Sequence, residues 1–132
     1  MEREIVCLDT SILIEYFRKK SKEDSTFYKL AELPYSFAVT TITIFEIYRG
    51  VTLTQKPFWD TLFHHMEVIS FDEHSAKIAD SLLQKLSPKN NQIALPDLFI
   101  AAIAIDKQIK LATRNRKDFE KIVELELLPA FK

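Results

Sequence analysis

"IVCLDTSILIEYF", residues 5–17, sets an apolar run, Ile5 to Leu8, against an aspartate, Asp9, and then resumes apolar spacing at Ile12, Leu13, Tyr16 and Phe17. The first run is short and bulky, as a buried strand requires, whereas the second repeats at the three-to-four interval of a helix face. The order is strand then helix, with Asp9 at the joint. A carboxylate there either accepts hydrogen bonds from the first turn of the helix or is a charge placed for chemistry. The rest of the chain decides between the two.

The same alternation continues. Residues 23–33 read as a second helix closed by Pro34, and "YSFAVT", 35–40, as a β-type run. "TITIFEIYRG", 41–50, reads as a helix with Gly50 as its C-terminal cap, and its Thr43 and Glu46 fit a T-x-x-E capping box. A helix over 57–65, a strand "MEVISF" at 66–71 and an amphipathic helix over 72–86, opened by Asp72, follow. Beyond a loop-like stretch, "SPKNNQIALP" at 87–96, come a helix over 96–108, a strand "IKLAT" at 109–113, a helical turn in "KDFEKIV" and a candidate last strand, "LELL", at 125–128. Parallel neighbours need crossover helices, so this alternation predicts an α/β fold with helices on both faces of its sheet. The expectation is a three-layer α/β/α sandwich around a short, mostly parallel sheet of four or five strands. With no repeat, low-complexity segment or linker, residues 1–132 are expected to form a single domain.

Composition narrows the function. A chain of 132 residues with 47% hydrophobic content can bury roughly two thirds of its unfolded surface around one core. Lys and Arg number 18 against 19 Asp and Glu, and the net charge of −1 gives no global pull toward nucleic acid or anionic membrane. Cys7 stands alone inside an apolar run, which excludes an internal disulfide and reads as a small core residue in a reducing, cytoplasmic setting. The N-terminal apolar run is too short for a signal peptide, and "LFIAAIAI", 98–105, falls far below the roughly 18–20 residues of a membrane span. The single glycine excludes glycine-rich phosphate loops. His64, His65 and His74 lack the spacing of a zinc set and read as surface or packing residues, and no G-x-S-x-G turn is present.

In open parallel sheets ligands bind outside the carboxyl ends of the strands, so acids at strand-to-helix junctions carry the most weight. There are four: Asp9 after the first strand, Glu46 in the helix after the second, Asp97 at the start of "PDLFIAAIA", and Asp118 in "TRNRKDF", with Asn115 three residues before it. Each has a local alternative as a cap or a dipole partner. Together at one sheet edge they would repel one another and raise each other's pKa unless a cation sat among them. Mg²⁺ or Mn²⁺ takes such oxygen ligands and serves in-line attack on a phosphodiester.

These segments resemble the PIN-domain ribonucleases. "CLDTSILIEYF" is similar to their N-terminal motif, "TTITIFEIYRG" to the second, "LPDLFIAAIA" to their D-x-x-I-A-A helix and "LATRNRKDFE" to their T-x-N-x-x-D-F segment, in order and across the whole chain. The nearest likeness is to the short VapC-type toxins of toxin–antitoxin pairs. The resemblance implies an endoribonuclease, a hydrolase dependent on Mg²⁺ or Mn²⁺, with Asp9, Glu46, Asp97 and Asp118 as catalytic and metal-binding acids. It leaves open whether Asn115 or Asp118 lies nearer the metal. Thr10, Ser11, Thr113, Arg114 and Asn115 are the supporting or substrate-contacting residues, with turn capping as the alternative for the hydroxyls. RNA as substrate, a cognate antitoxin whose C-terminal segment covers the site, and a homodimer are implied as well; no membrane is.

"RKKSK", 18–22, with Lys110, Arg114, Arg116, Lys117 and Lys121 is expected to flank the acidic motifs, where RNA phosphates would arrive. Tyr16, Phe17 and Phe119 fall at apolar positions and read as core rather than base-stacking platforms. Two alternatives stay open: a catalytically inactive PIN scaffold that only binds a partner, and a receiver-like phosphoacceptor. For the second, which needs a phosphoacceptor aspartate after the third strand, Asp72 is the sole aspartate on offer.

Overall fold

The computed structural model describes residues 3–86 and 92–130. Four strands, β1 (Glu4–Leu8), β2 (Tyr35–Thr40), β3 (Glu67–Ile69) and β4 (Lys110–Ala112), form one sheet in the order β3-β2-β1-β4. Every pair is parallel, with Val6 opposite Phe37 on one side and Lys110 on the other. Among the described residues seven helices connect them: α1 (Thr10–Arg18), α2 (Thr26–Ala31), α3 (Thr41–Gly50), α4 (Lys56–His64), α5 (Glu73–Leu86), α6 (Leu95–Lys107) and α7 (Arg116–Phe119). None of the described helices is long and apolar enough to cross a membrane.

The pleat sorts the core into two layers. Val6 and Leu8 of β1 and Val39 of β2 join Ile12, Leu13, Leu30, Ile47, Trp59 and Phe63 from α1–α4. Cys7, on the opposite face of the same strand, joins Leu82 and Leu86 of α5, Leu98 and Ala101 of α6 and Phe119 of α7. β1 is therefore covered on both faces and paired on both edges, which is why four consecutive residues from Val6 to Asp9 are buried. The expected three-layer α/β/α architecture is present, with a four-stranded sheet that is parallel throughout.

Several local expectations give way to local chemistry. The helix expected over 23–33 divides into a 3₁₀ turn at Lys22–Asp24 and α2, because the Ser25 hydroxyl donates to the Lys22 carbonyl and accepts from the Tyr28 N–H, breaking the first segment and capping the second. Gly50 is the last residue of α3 rather than its cap. Val51 leaves the helix in an extended conformation, so no left-handed residue is needed. Thr40, not Thr43, caps α3, accepting from the Thr43 N–H at 3.2 Å, which frees Glu46 from a capping box. "MEVISF" pairs only over Glu67–Ile69, since the Phe71 N–H turns to the Thr41 hydroxyl. "LELL" contributes a single bridge, Leu127 to Leu111, and Pro129, with no N–H to donate, stops it there. The loop expected over 87–96 lies outside the described residues as far as 91; residues 92–94 are irregular and α6 begins at Leu95.

The chain steps from β1 to β2 to β3 in one direction and then returns past β1 to place β4 on its other edge. The connections leaving β1 and β4 thus diverge at their carboxyl ends, which is where a parallel sheet opens a crevice. Asp9 and Thr113 stand at the two lips of that crevice.

Candidate active site

Asp9 follows β1 directly, and its N–H still donates to the Ala112 carbonyl of β4 at 3.1 Å. The residue is 2% exposed. Oδ1 accepts from the Ile12 N–H at 3.3 Å and the Ser11 hydroxyl at 2.6 Å, and Oδ2 accepts from the Thr113 hydroxyl at 2.5 Å. Asp9 is thus both the cap of α1 and a buried charge. Burial pushes its pKa up, and the bonds from Ser11, Thr113 and the Ile12 backbone pull it back down. A carboxylate has about four lone-pair positions, so these three bonds leave one open.

Glu46 reaches the same end of the sheet from the second turn of α3. Its Oε1 accepts from the Thr10 hydroxyl at 2.7 Å, and Thr10 Oγ1 lies 3.1 Å from Thr43 Oγ1. The Thr10 hydroxyl thus faces two acceptors with a single proton, and the shorter contact, to Glu46, takes it. Asp97 is half-buried in the first turn of α6, which Ala94 opens without a side-chain cap. Burial first, then the charges of Asp9, Glu46 and Asp118, raise the Asp97 pKa to about 6. Asp118, in α7, completes the group.

Asn115 spans the last two acids. Its Nδ2 donates to Asp118 Oδ2 at 3.0 Å and, at 3.5 Å, to Asp97 Oδ2. As the residue before α7 it would ordinarily cap that helix, but it makes no side-chain cap bond, and its amide goes to the acids instead. Its own N–H donates to the Thr113 hydroxyl at 2.9 Å. Ser11 accepts from the Arg114 N–H at 3.0 Å while donating to Asp9. Of the nine residues singled out from the sequence, seven lie in one hydrogen-bonded network, and Thr10 with Glu46 forms a second beside it whose charge acts on Asp97; the Arg114 side chain alone turns away, to Glu15, Nε to Oε2 at 3.2 Å.

Glu15 escaped notice in the sequence. Its Oε1 also accepts from the Thr26 N–H at 2.8 Å, so it ties α1, α2 and the loop after β4 together. The available signal was its position four residues after Ser11 on one helix face. The expected basic flank is only partly present. Lys22 donates to the carbonyls of Tyr16, Phe17 and Lys19, closing the end of α1. Lys110 begins β4, at the opposite end of the sheet, and pairs with Glu4 and Glu126. Arg116 donates to the Leu128 carbonyl, and Lys121 donates to the Gln92 carbonyl and lies 3.6 Å from Asp118. Phe119 is fully buried, and Tyr16 and Phe17 pack against Phe27, Phe58 and Trp59. His64 and His65 are exposed, and His74 bonds Asp106. Asp72, on which a phosphoacceptor would rest, accepts from the Ser75 N–H and caps α5, which holds its pKa down.

All four acids offer oxygen donors, the set a hard divalent cation takes. The raised pKa of Asp97 is the observation that fits such an ion, since it reports a repulsion that a cation would relieve. As the side chains stand, no three Asp, Glu, His or Cys among the described residues form a group that could hold an ion. Uptake therefore calls for side-chain rotation, for which Glu46 Oε2 and Asp97 Oδ1 carry no hydrogen bond among the described residues.

The sequence model of the PIN domain matches residues 6–125. Ribonuclease VapC1 of Methanocaldococcus jannaschii is 31% identical over 127 residues, covering 96% of this chain and 87% of the relative. Ribonuclease VapC3 of the same organism is 31% identical over 96 residues, covering 73% and 94%. The crystal structure of VapBC2 from Rickettsia felis bound to a DNA fragment from its promoter is similar with a TM-score of 0.81 at 26% identity, over 94% of this chain and 97% of that one. The matched span runs from the buried core of β1 past α7, enclosing all four acids and the crevice they share, and on that ground the chain belongs to the PIN-domain family.

Proposed function

We propose that this protein is an endoribonuclease that hydrolyses RNA phosphodiester bonds with Mg²⁺ or Mn²⁺, acting as one PIN-like domain and as the toxin of a toxin–antitoxin pair. The observation that carries the reading is electrostatic: burial, and then the charges of Asp9, Glu46 and Asp118 from three other segments, raise the pKa of Asp97 to about 6, as expected of a site built for a cation and a phosphodiester. The ribonuclease relatives and the VapBC assembly supply the substrate class and the antitoxin partner. A homodimer and a cytoplasmic location belong to the same reading.

Asp9, Glu46, Asp97 and Asp118 would hold the ion. A bound Mg²⁺ or Mn²⁺ supplies Lewis-acid polarisation of the phosphodiester and lowers the pKa of water. The chain's own residues fix the geometry. Ser11, Thr113 and the Ile12 N–H lock the Asp9 carboxylate in one orientation, Thr10 aims Glu46, and the Asn115 amide keeps Asp97 and Asp118 from drifting apart. In the reaction a water oxygen would bond to phosphorus as one ribose oxygen leaves; a carboxylate in the group takes the water proton, and the leaving oxygen takes a proton from solvent to become a hydroxyl.

The open arrangement of the acids favours one second reading, an inactive PIN scaffold that binds a partner without cleaving. One experiment separates them: RNA cleavage by wild type, Asp9→Asn and Asp97→Asn, each with Mg²⁺, Mn²⁺ or chelator. Metal-dependent cleavage by wild type alone is expected. Activity that survives chelation, or equal cleavage by wild type and both variants, would sink the mechanism, and a wild type inert under every condition would establish the scaffold.

A further inference from the structure

Two cavities flank the Arg114–Glu15 pair. One, of about 360 Å³, is lined by Ser11, Ile14, Glu15, Arg18, Lys19 and Arg114. The other, of about 310 Å³, includes Thr113 with Ile12 and Leu30 and shares Glu15 and Arg114 as its wall. Both volumes sit near the lower end of the roughly 300–1,000 Å³ typical of ligand sites. Ser11 and Thr113 are the two hydroxyls that donate to Asp9, so each cavity is one side chain away from the acidic site.

The first cavity sets three cations against one acid. Ser11, Glu15 and Arg18 recur at three-to-four-residue intervals and share one face of α1, a track of roughly 10 Å along the helix axis. Arg18 and Lys19 have no ion pair among the described residues. The carbonyls that end α1, which would repel an anion, are already covered by the Lys22 ammonium. Within the one ion pair the two partners differ: the Arg114 side chain is 54% exposed and that of Glu15 is 8% exposed. Glu15 is pinned by the Thr26 N–H at 2.8 Å and keeps that bond if Arg114 swings away. An incoming anion would therefore move the arginine and leave no orphaned carboxylate behind.

We propose that this cavity carries the phosphodiester backbone of the RNA strand away from the acidic site. Arg114 is the first residue to meet a phosphate, Arg18 and Lys19 are the next, and Glu15 is an internal stand-in that holds Arg114 until a phosphate displaces it. The inference rests on the ribonuclease reading: a strand whose reacting phosphate lies among four carboxylates needs a basic wall beside them for its neighbours. An arginine fork matches a phosphate as well as a carboxylate, so the exchange costs Arg114 little.

The test is binding rather than cleavage. Asp97→Asn serves as the parent, with a short labelled single-stranded RNA of mixed sequence, in chelator, by fluorescence anisotropy over a range of salt. Arg114→Ala, and Arg18→Ala with Lys19→Ala, should each weaken binding about fivefold. Each should also flatten the slope of log affinity against log salt by about 0.7 for every phosphate left without its cation. Glu15→Gln keeps the acceptor for Thr26 and removes the charge; it should tighten binding, and the gain should vanish in an Arg114→Ala background. If Arg114→Ala does not fold, the Arg18 and Lys19 changes, both at exposed positions, decide the matter. Unchanged RNA affinity in variants that melt with the parent would overturn the track, while cleavage by wild type would still uphold the nuclease. Weaker binding of an acidic peptide but not of RNA overturns it too and gives the cleft to a protein. A parent that binds no RNA overturns it outright, and a wild type that also cleaves none takes the ribonuclease reading with it.

Discussion

Asp97 shows how one residue can be expensive to the fold and useful to the site. Its folded-state pKa of about 6 lies above the ordinary 3.8, so between those values the folded protein holds a proton that the unfolded chain has lost. Stability contributed here is therefore intact at acid pH and falls as pH rises through about 4 to 6. In metal-free protein, Asp97→Asn should gain about 1 kcal/mol at pH 7, allowing for solvent screening of a half-exposed group, and the gain should fade toward pH 4. Urea titrations of both proteins in chelator across that range measure it. The type and position of the four acids were legible in the sequence because strand ends and helix starts were. Thr10, Ser11, Thr113 and Asn115 were named as supporting residues, but which acid each one holds was not legible: only tertiary contact puts Thr10 beside Glu46 and Thr113 beside Asp9, and Glu15 looks like an ordinary helix residue.

At the scale of elements, long periodic segments were readable and their ends were not. Pro34 marked a boundary correctly, but Ser25 was invisible as a breaker because its hydroxyl works through a carbonyl three residues back. The end of α6 is a case with an energetic consequence. Gln108 closes that helix in the left-handed conformation, φ 57° and ψ 43°, while its N–H bonds back to Ile105. A side chain there is strained, and glycine is the residue that such an end ordinarily takes. Gln108→Gly should stabilise the protein by roughly 0.5–1 kcal/mol, seen as a raised denaturation midpoint. Gly50, the residue the sequence nominated for this job, would gain nothing from it, since the chain leaves α3 extended.

For the whole molecule, the layered parallel sheet followed from the alternation of patterns. Its strand order did not, because neither edge of β1 is marked in its own residues. That order places Cys7 at the centre, fully buried, with its thiol pushed up to about 12 by burial and then by the Asp9 charge. The layer of α5, α6 and α7 must lift off the sheet, opening half of the core, before a reagent reaches it. Thiol labelling should therefore proceed only through global unfolding, with a rate that rises with urea and falls in Gln108→Gly. Labelling in the native baseline would show a smaller opening. The same order governs when the acidic site assembles. Asp9 is held by Thr113, 104 residues further on, and β4 joins the sheet only through β1. A nascent chain on the ribosome thus carries its first acid from the start but no assembled site until its last strand emerges, and a truncated product stopping short of Thr113 lacks the hydroxyl that holds Asp9.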